Sequence, residues 1–201
     1  MLKPARISLP VLDLSRQYAA IRGEVLAAIE RVCASQLFIL GPEVGALEGE
    51  VAAFTGSKAA IGCASGTDAL WLALVAAGVR PGDRVITTPF SFFASASSIV
   101  RAGAEPVFVD VDPATLNIDP AKVRTALEKA GGAKAEHKIA AILPVHLYGQ
   151  CADMESLRQI ADEHGISIVE DAAQAIGAKW RDQPAGSMGV CAAFRVLRRV
   201  T

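Results

Sequence analysis

From Ala59 onward, short apolar runs rich in β-branched residues alternate with amphipathic stretches of helical spacing, and this alternation restricts the fold more than any other feature of the chain. Strands are expected over 59–64, 84–88, 105–109, 139–145 and 166–170. Helices are expected over 67–77, 94–102, 120–130 and 154–164. Near-continuous apolar strands separated by helices imply an α/β fold: a mainly parallel sheet with right-handed crossovers, sandwiched by helices. Pro81-Gly82-Asp83 and Asp112-Pro113 punctuate the pattern as turns. The first fifty residues read differently. Tyr18, Ile21, Val25, Ile29 and Val32 form one stripe of a helix that Ser15 would cap, and a second helix starts after Gly41-Pro42 and stops at Gly56. Residues 1–58 are therefore taken as an N-terminal helical segment and 59–194 as the α/β domain.

At 201 residues, the chain is long enough for one domain with a substantial core. Its net charge of -1, with Lys and Arg scattered, offers no basic face for nucleic acid. The apolar run from Ala69 to Val79 is too short to span a bilayer, so no membrane role is expected. Cys33, Cys63, Cys151 and Cys191 lack the spacing of a zinc site, so no metal is expected, and they read as reduced thiols of a cytoplasmic protein.

In open parallel sheets, ligands sit outside the carboxyl ends of the strands, and four strand ends here carry chemistry. Ser65-Gly66-Thr67 opens a helix and is either a plain N-cap turn or an anion cradle of backbone N–H groups. Phe90, Phe92 and Phe93 cluster in a chain with only 5% aromatics; they are either core or a flat face for a planar ligand. His146 and Tyr148 follow a third strand, where a histidine is either a satisfied structural residue or a proton carrier. Asp171 ends the run Ile166-Ser-Ile-Val-Glu-Asp171 and either caps the next element or serves as a site carboxylate. A phosphorylated heteroaromatic cation would use all four, because an acid can hold a pyridinium nitrogen protonated and make the ring an electron sink. No GxGxxG or GxxxxGK[ST] follows a strand, which disfavours an ordinary nucleotide-binding domain.

Ser65-Gly-Thr-Asp-Ala-Leu70, Thr88-Pro-Phe-Ser-Phe92, His146-Leu-Tyr-Gly-Gln150 and Glu170-Asp-Ala-Ala-Gln174 resemble the DegT/DnrJ/EryC1/StrS family of pyridoxal-phosphate-dependent nucleotide-sugar aminotransferases. The resemblance runs from about Ile7 to Phe194. It implies the aspartate aminotransferase fold and the cofactor pyridoxal 5'-phosphate. Carried over by motif, Gly66 and Thr67 would hold the phosphate, Phe92 would stack on the ring, Asp171 would pair with its nitrogen and Gln174 would bond its phenolic oxygen. The implied partners are a nucleotide-linked keto-sugar and an amino donor, typically glutamate, in a homodimer. Gly41-Pro-Glu-Val44 and Tyr148-Gly-Gln-Cys-Ala-Asp153 look most like members that aminate UDP-linked 3-keto-glucuronic acid sugars.

The chain departs from the family pattern after Phe194. The family continues with Ser-Phe-x-x-x-Lys, whose lysine forms the imine; here Arg195 replaces the serine and Val200 the lysine. Valine can neither form an imine nor move a proton. Residues 195–201 thus read as an aberrant tail with the carboxyl-terminal small domain absent, and no catalytic residue is assigned. The expectation is a chain inactive as a transaminase, with an exposed sheet edge. The competing expectation is a non-catalytic remnant that binds pyridoxal phosphate or pairs with a full-length homologue.

Overall fold

The computed structural model describes residues 10, 12–130 and 138–195. It divides into two compact units, residues 1–47 and 48–201, the division falling inside a helix. In the first unit, α1 spans Ser15–Ser35 and ends on Gln36 in the left-handed conformation, φ 58°. The helix α2, Pro42–Thr55, begins there with proline as its first residue, where a missing N–H costs nothing. One expectation is corrected. Ser15 is the first helical residue rather than the cap, because Asp13 Oδ1 accepts its N–H at 2.9 Å and Leu14 occupies the cap position. The stripe of α1 stays on the surface of this unit among the described residues, with Ile29 53% exposed.

The second unit is the α/β body. In chain order it contains α3 (Gly66–Ala76), β1 (Arg84–Thr87), α4 (Phe93–Arg101), β2 (Glu105–Phe108), α5 (Pro120–Lys129), β3 (Ile139–Ile142), α6 (Met154–His164) and β4 (Ser167–Asp171). A two-stranded hairpin follows, β5 (Lys179–Trp180) with β6 (Gln183–Pro184), and then β7 (Cys191–Ala193). Five strands form one parallel sheet in the order β2-β1-β3-β4-β7. Successive residues of a strand face opposite sides, and two cores result. Val85, Ala141, Leu143 and Val169 pack with α3 and α4, whereas Ile86, Ile142 and Ile168 pack with α5 and α6. Burial on both faces explains why these strands read as unbroken apolar runs.

The helix ends follow local chemistry. Asp119 and Asp153 cap α5 and α6 by accepting the N–H groups of Ala121 and Ser156 at 2.9 and 3.1 Å. Gly165, φ 63°, closes α6. The strand expected over 59–64 does not form. No described strand lies beside it, Ile61 is exposed, and the Gly62 N–H turns instead to Glu48 Oε1 at 2.6 Å. The short strands β5, β6 and β7 were not anticipated. Among the described residues, β4 is the one strand paired with β7, through Val169–Cys191, Glu170–Ala192 and Asp171–Ala193.

Candidate functional site

The carboxyl ends of β1, β3, β4 and β7 and the start of α3 supply the candidate site. At α3, Ser65 is the N-cap: its Oγ accepts the Asp68 N–H at 3.1 Å and donates to Asp68 Oδ2 at 2.7 Å. Asp68 is also paired with Arg101, whose guanidinium lies 4.1 Å from the centre of the Trp71 ring. The hydroxyl of Ser65 is thus committed to capping. The first-turn N–H groups of Gly66 and Thr67 have no acceptor within the helix and none is assigned among the described residues, so an anion could take them. The side chain of Arg195, just beyond β7, passes close by; a Cβ on Gly66 would lie 3.4 Å from that of Arg195.

Past β1 the three phenylalanines are not core. Phe90, Phe92 and Phe93 are all exposed, Phe92 by 67%. Phe92 is the extended residue that opens α4, and its carbonyl accepts the Ser95 N–H at 3.2 Å.

Past β3, His146 is fully buried and both ring nitrogens are engaged. Nδ1 accepts the Ala152 N–H at 3.2 Å, which leaves the proton on Nε2, donated to Glu170 Oε2 at 2.9 Å. This is the satisfied structural histidine of the two readings. Tyr148, φ 55°, donates its backbone N–H to Gln174 Oε1 at 2.8 Å. The amide oxygen of Gln174 thus accepts a hydrogen bond, and its NH2 group remains available as a donor.

Glu170 and Asp171 end β4 in opposite circumstances. Glu170 Oε1 accepts the N–H groups of Met188 and Gly189 at 2.7 and 2.6 Å, and Oε2 accepts those of Gly186 at 2.8 Å and His146 at 2.9 Å. Burial opposes its charge, but the His146, Gly186 and Gly189 hydrogen bonds together hold its pKa below the usual glutamate value. Asp171, only 4% exposed, has fewer donors: Ser95 Oγ at 2.7 Å on Oδ2 and the Ala173 N–H at 3.3 Å on Oδ1. Here burial outweighs the bonds from Ser95 and Ala173 and raises the pKa. The bond to Ala173 is a local cap and the bond to Ser95 is not, so Asp171 does more than cap.

The structure thus brings Tyr148 against Gln174 and Ser95 against Asp171, and it seats Gly66 beside the end of β7. Val200 lies outside the described residues. Sequence reasoning missed Ser91, Ser95 and the donors around Glu170. A hydroxyl pair four residues apart, at the start of a helix that follows a strand end, was the available signal for the serines. The loop donors are backbone groups and leave no side-chain signature. Among the described residues, no group of three His, Cys, Asp or Glu side chains could hold a metal, and no helix is long and apolar enough to cross a membrane.

A buried acid at the end of a parallel-sheet strand and the open N-terminus of a helix are features that ligand sites of α/β folds use as a class. Residues 19–195 match the model of the DegT/DnrJ/EryC1/StrS aminotransferase family, and the chain belongs to that family. The family is pyridoxal-phosphate-dependent. The chain is 51% identical over 188 residues to the "Pleiotropic regulatory protein" of Geobacillus stearothermophilus, covering 94% of this chain and 48% of that one. It is 45% identical over 170 residues to the UDP-2-acetamido-2-deoxy-3-oxo-D-glucuronate aminotransferase of Pseudomonas aeruginosa, covering 85% and 45%. The crystal structure of a DegT DnrJ EryC1 StrS aminotransferase from Brucella abortus superposes with a TM-score of 0.86 at 38% identity, covering 93% of this chain and 50% of that one. The chain spans about half the length of the curated relatives it matches.

Proposed function

We propose that this chain carries the cofactor-binding half of a pyridoxal-phosphate-dependent aminotransferase of a nucleotide-linked keto-sugar. One observation carries the reading: Asp171 is a nearly buried carboxylate with two donors, where such a group has room for about four. A carboxylate left short of donors at a strand end is suited to a cationic N–H from a ligand. Its neighbours fit the same ligand. Gln174 presents a free amide donor suited to a phenolic oxygen, and Phe92 offers an open ring face that can cover a heteroaromatic plane and exclude water. Gly66 and Thr67 offer N–H groups and a hydroxyl to a phosphate. When bound, the cofactor supplies an electron sink. The part of this chain is to grip the phosphate, cover the ring and hold a proton on its nitrogen through Asp171.

By similarity to the Pseudomonas aeruginosa relative, the substrate class is a UDP-linked 3-keto sugar acid; glutamate as amino donor and a homodimer as the working unit rest on the motif resemblance alone. We infer from the motif alignment that Val200 takes the place of the family's lysine, and that the chain as given binds the cofactor without a covalent bond and does not transaminate. The same substitution favours a second reading, a non-catalytic chain that pairs with a full-length homologue.

Titration of the purified chain with pyridoxamine 5'-phosphate, followed by calorimetry, tests the proposal, because that form needs no lysine. Saturable binding that Asp171→Asn weakens at least about tenfold supports it, the loss of one charge-assisted bond being worth about 1.5–3 kcal/mol. Binding that is indifferent to Asp171→Asn, or absent at millimolar ligand, overturns the cofactor reading. Sustained turnover of a keto-sugar nucleotide by this chain overturns the inactivity.

A further inference from the structure

We propose that Ser95 is the positioning residue for Asp171, and that Ser91 completes a hydroxyl chain, Ser91 to Ser95 to Asp171, fixing the carboxylate toward the ligand. The inference rests on the reading of Asp171 as the partner of a heteroaromatic nitrogen. Neither serine was assigned a role by motif.

The direction of the chain follows from counting protons. Ser95 Oγ lies 2.7 Å from Asp171 Oδ2 and 2.8 Å from Ser91 Oγ. A hydroxyl has one proton, and an ionised carboxylate can only accept, so Ser95 donates to Asp171. Ser91 must then donate to Ser95. Ser95 is 1% exposed, so its hydroxyl has no water to fall back on, whereas Ser91 is half-buried and lies at the outer end of the chain.

The placement has a second consequence. Ser91 lies just before α4 and Ser95 in its first turn, four residues on, and Phe92 lies between them with its carbonyl holding the Ser95 N–H. The same turn that displays the exposed ring therefore delivers the hydroxyl that orients the acid. The ring face and the carboxylate are set by one rigid segment, which ties the two sides of a bound heterocycle together.

The groups that face Asp171 are few. Ser95 approaches from α4, the Ala173 N–H from the turn after β4, and the segment after β3 brings the His146 ring, whose Nε2 proton is given to Glu170. The backbone of that segment is also fixed, since the His146 N–H donates to the Asp171 carbonyl at 2.9 Å. With the main chain held on one side, Ser95 is the side chain that sets the carboxylate orientation.

The test is a carbon-13 NMR titration of the Asp171 carboxyl in the ligand-free chain, with the resonance assigned by its loss in Asp171→Asn. Ser95→Ala is expected to raise the Asp171 pKa by about one to two units, the size expected when a hydrogen bond to a charged group is lost. Ser91→Ala is expected to shift it less and in the same direction, and Ser95→Thr, which keeps the hydroxyl, is expected to restore the wild-type value. An unchanged Asp171 titration in Ser95→Ala, with the chain still folded, overturns the proposal. So does an equal shift in Ser95→Ala and Ser95→Thr when both melt like the wild type. Pyridoxamine 5'-phosphate binding separates the two readings. A shifted titration with weaker binding in Ser95→Ala supports both, whereas a shifted titration in a chain that never binds the ligand upholds the Ser95 link and overturns the cofactor assignment alone.

Discussion

Replacing Glu170 by glutamine should destabilise the α/β body far more than a conservative change suggests. The Glu170 side chain is fully buried, and each of its oxygens accepts two donors: Met188 and Gly189 on Oε1, Gly186 and His146 on Oε2. Glutamine keeps one accepting oxygen and turns the other position into an NH2 donor. Whichever way the amide sits, two N–H groups then face a donor. His146 cannot relieve the clash by moving its proton, because Nδ1 is already taken by the Ala152 N–H at 3.2 Å. Each stranded buried donor costs about 1–3 kcal/mol, and the Gly186 and Gly189 groups, being half-buried, can recover part through water. A loss of about 2–4 kcal/mol follows, or roughly 4–16 °C in Tm for a chain of this size. The pH dependence has a definite sign. The folded pKa of Glu170 lies below its unfolded value near 4.5, so its contribution is fully present above that value and is lost as pH falls through the folded pKa. Thermal unfolding of wild type and Glu170→Gln by circular dichroism, at neutral pH and at steps below pH 4.5, reads both effects. The gap should be widest at neutral pH and should narrow in acid. A gap under about 0.5 kcal/mol at neutral pH, the scatter of an ordinary surface change, or one that stays constant into acid, would refute the reasoning.

Gly186→Ala should cost about 2–4 kcal/mol in chemical denaturation, because Gly186 has φ +91° and a Cβ there would lie 2.3 Å from Phe194 Cζ; a loss below about 1 kcal/mol would show that the Phe194 ring moves aside freely. The thiols should separate by reactivity. Burial, helped by the charge of Glu170, pushes the Cys151 thiol up to about 11, whereas Cys33 and Cys63 are exposed. Iodoacetamide at pH 8 followed by peptide mass spectrometry should mark Cys33 and Cys63 at least about tenfold faster than Cys151. Comparable labelling of Cys151 in the native chain would contradict its burial.

The sheet was legible because parallel strands buried on both faces cannot hide: Val85-Ile86 and Ile168-Val169 are apolar at consecutive positions, and β1 to β4 and α3 to α6 lie within a few residues of their expected places. The failures have physical causes. The segment 59–64 has strand composition but no described neighbour, and strand formation depends on pairing more than on propensity. Conversely β7, Cys191-Ala-Ala193, is too short and too alanine-rich to announce itself and forms because β4 offers it an edge. At the site, Asp171, Gln174, Gly66 and Thr67 were readable as motif residues. The hydroxyl chain and the Glu170 clamp were not, because they join Ser95 to Asp171 across 76 positions and enlist backbone N–H groups that any residue would supply.

The two adjacent carboxylates show how a strand end can be both rigid and reactive. Alternation along β4 sends Glu170 and Asp171 to opposite sides. Glu170 is saturated with four donors and stays charged at low cost, which fixes the 186–189 loop and the His146 ring. Gly189 can lie so close to β4, a Cβ on it falling 2.6 Å from the Ile168 carbonyl oxygen, because it has none. Asp171 is left with two donors, and its charge opposes folding. Its raised pKa means that stability falls as pH rises from its unfolded value near 3.8 through the folded one, the opposite sign to Glu170. His146 joins the two states: its ring serves Glu170 and its backbone N–H holds the Asp171 carbonyl. The saturated acid thus supplies the rigidity that lets its neighbour remain buried, ionisable and short of partners, which is the condition a ligand-binding carboxylate requires.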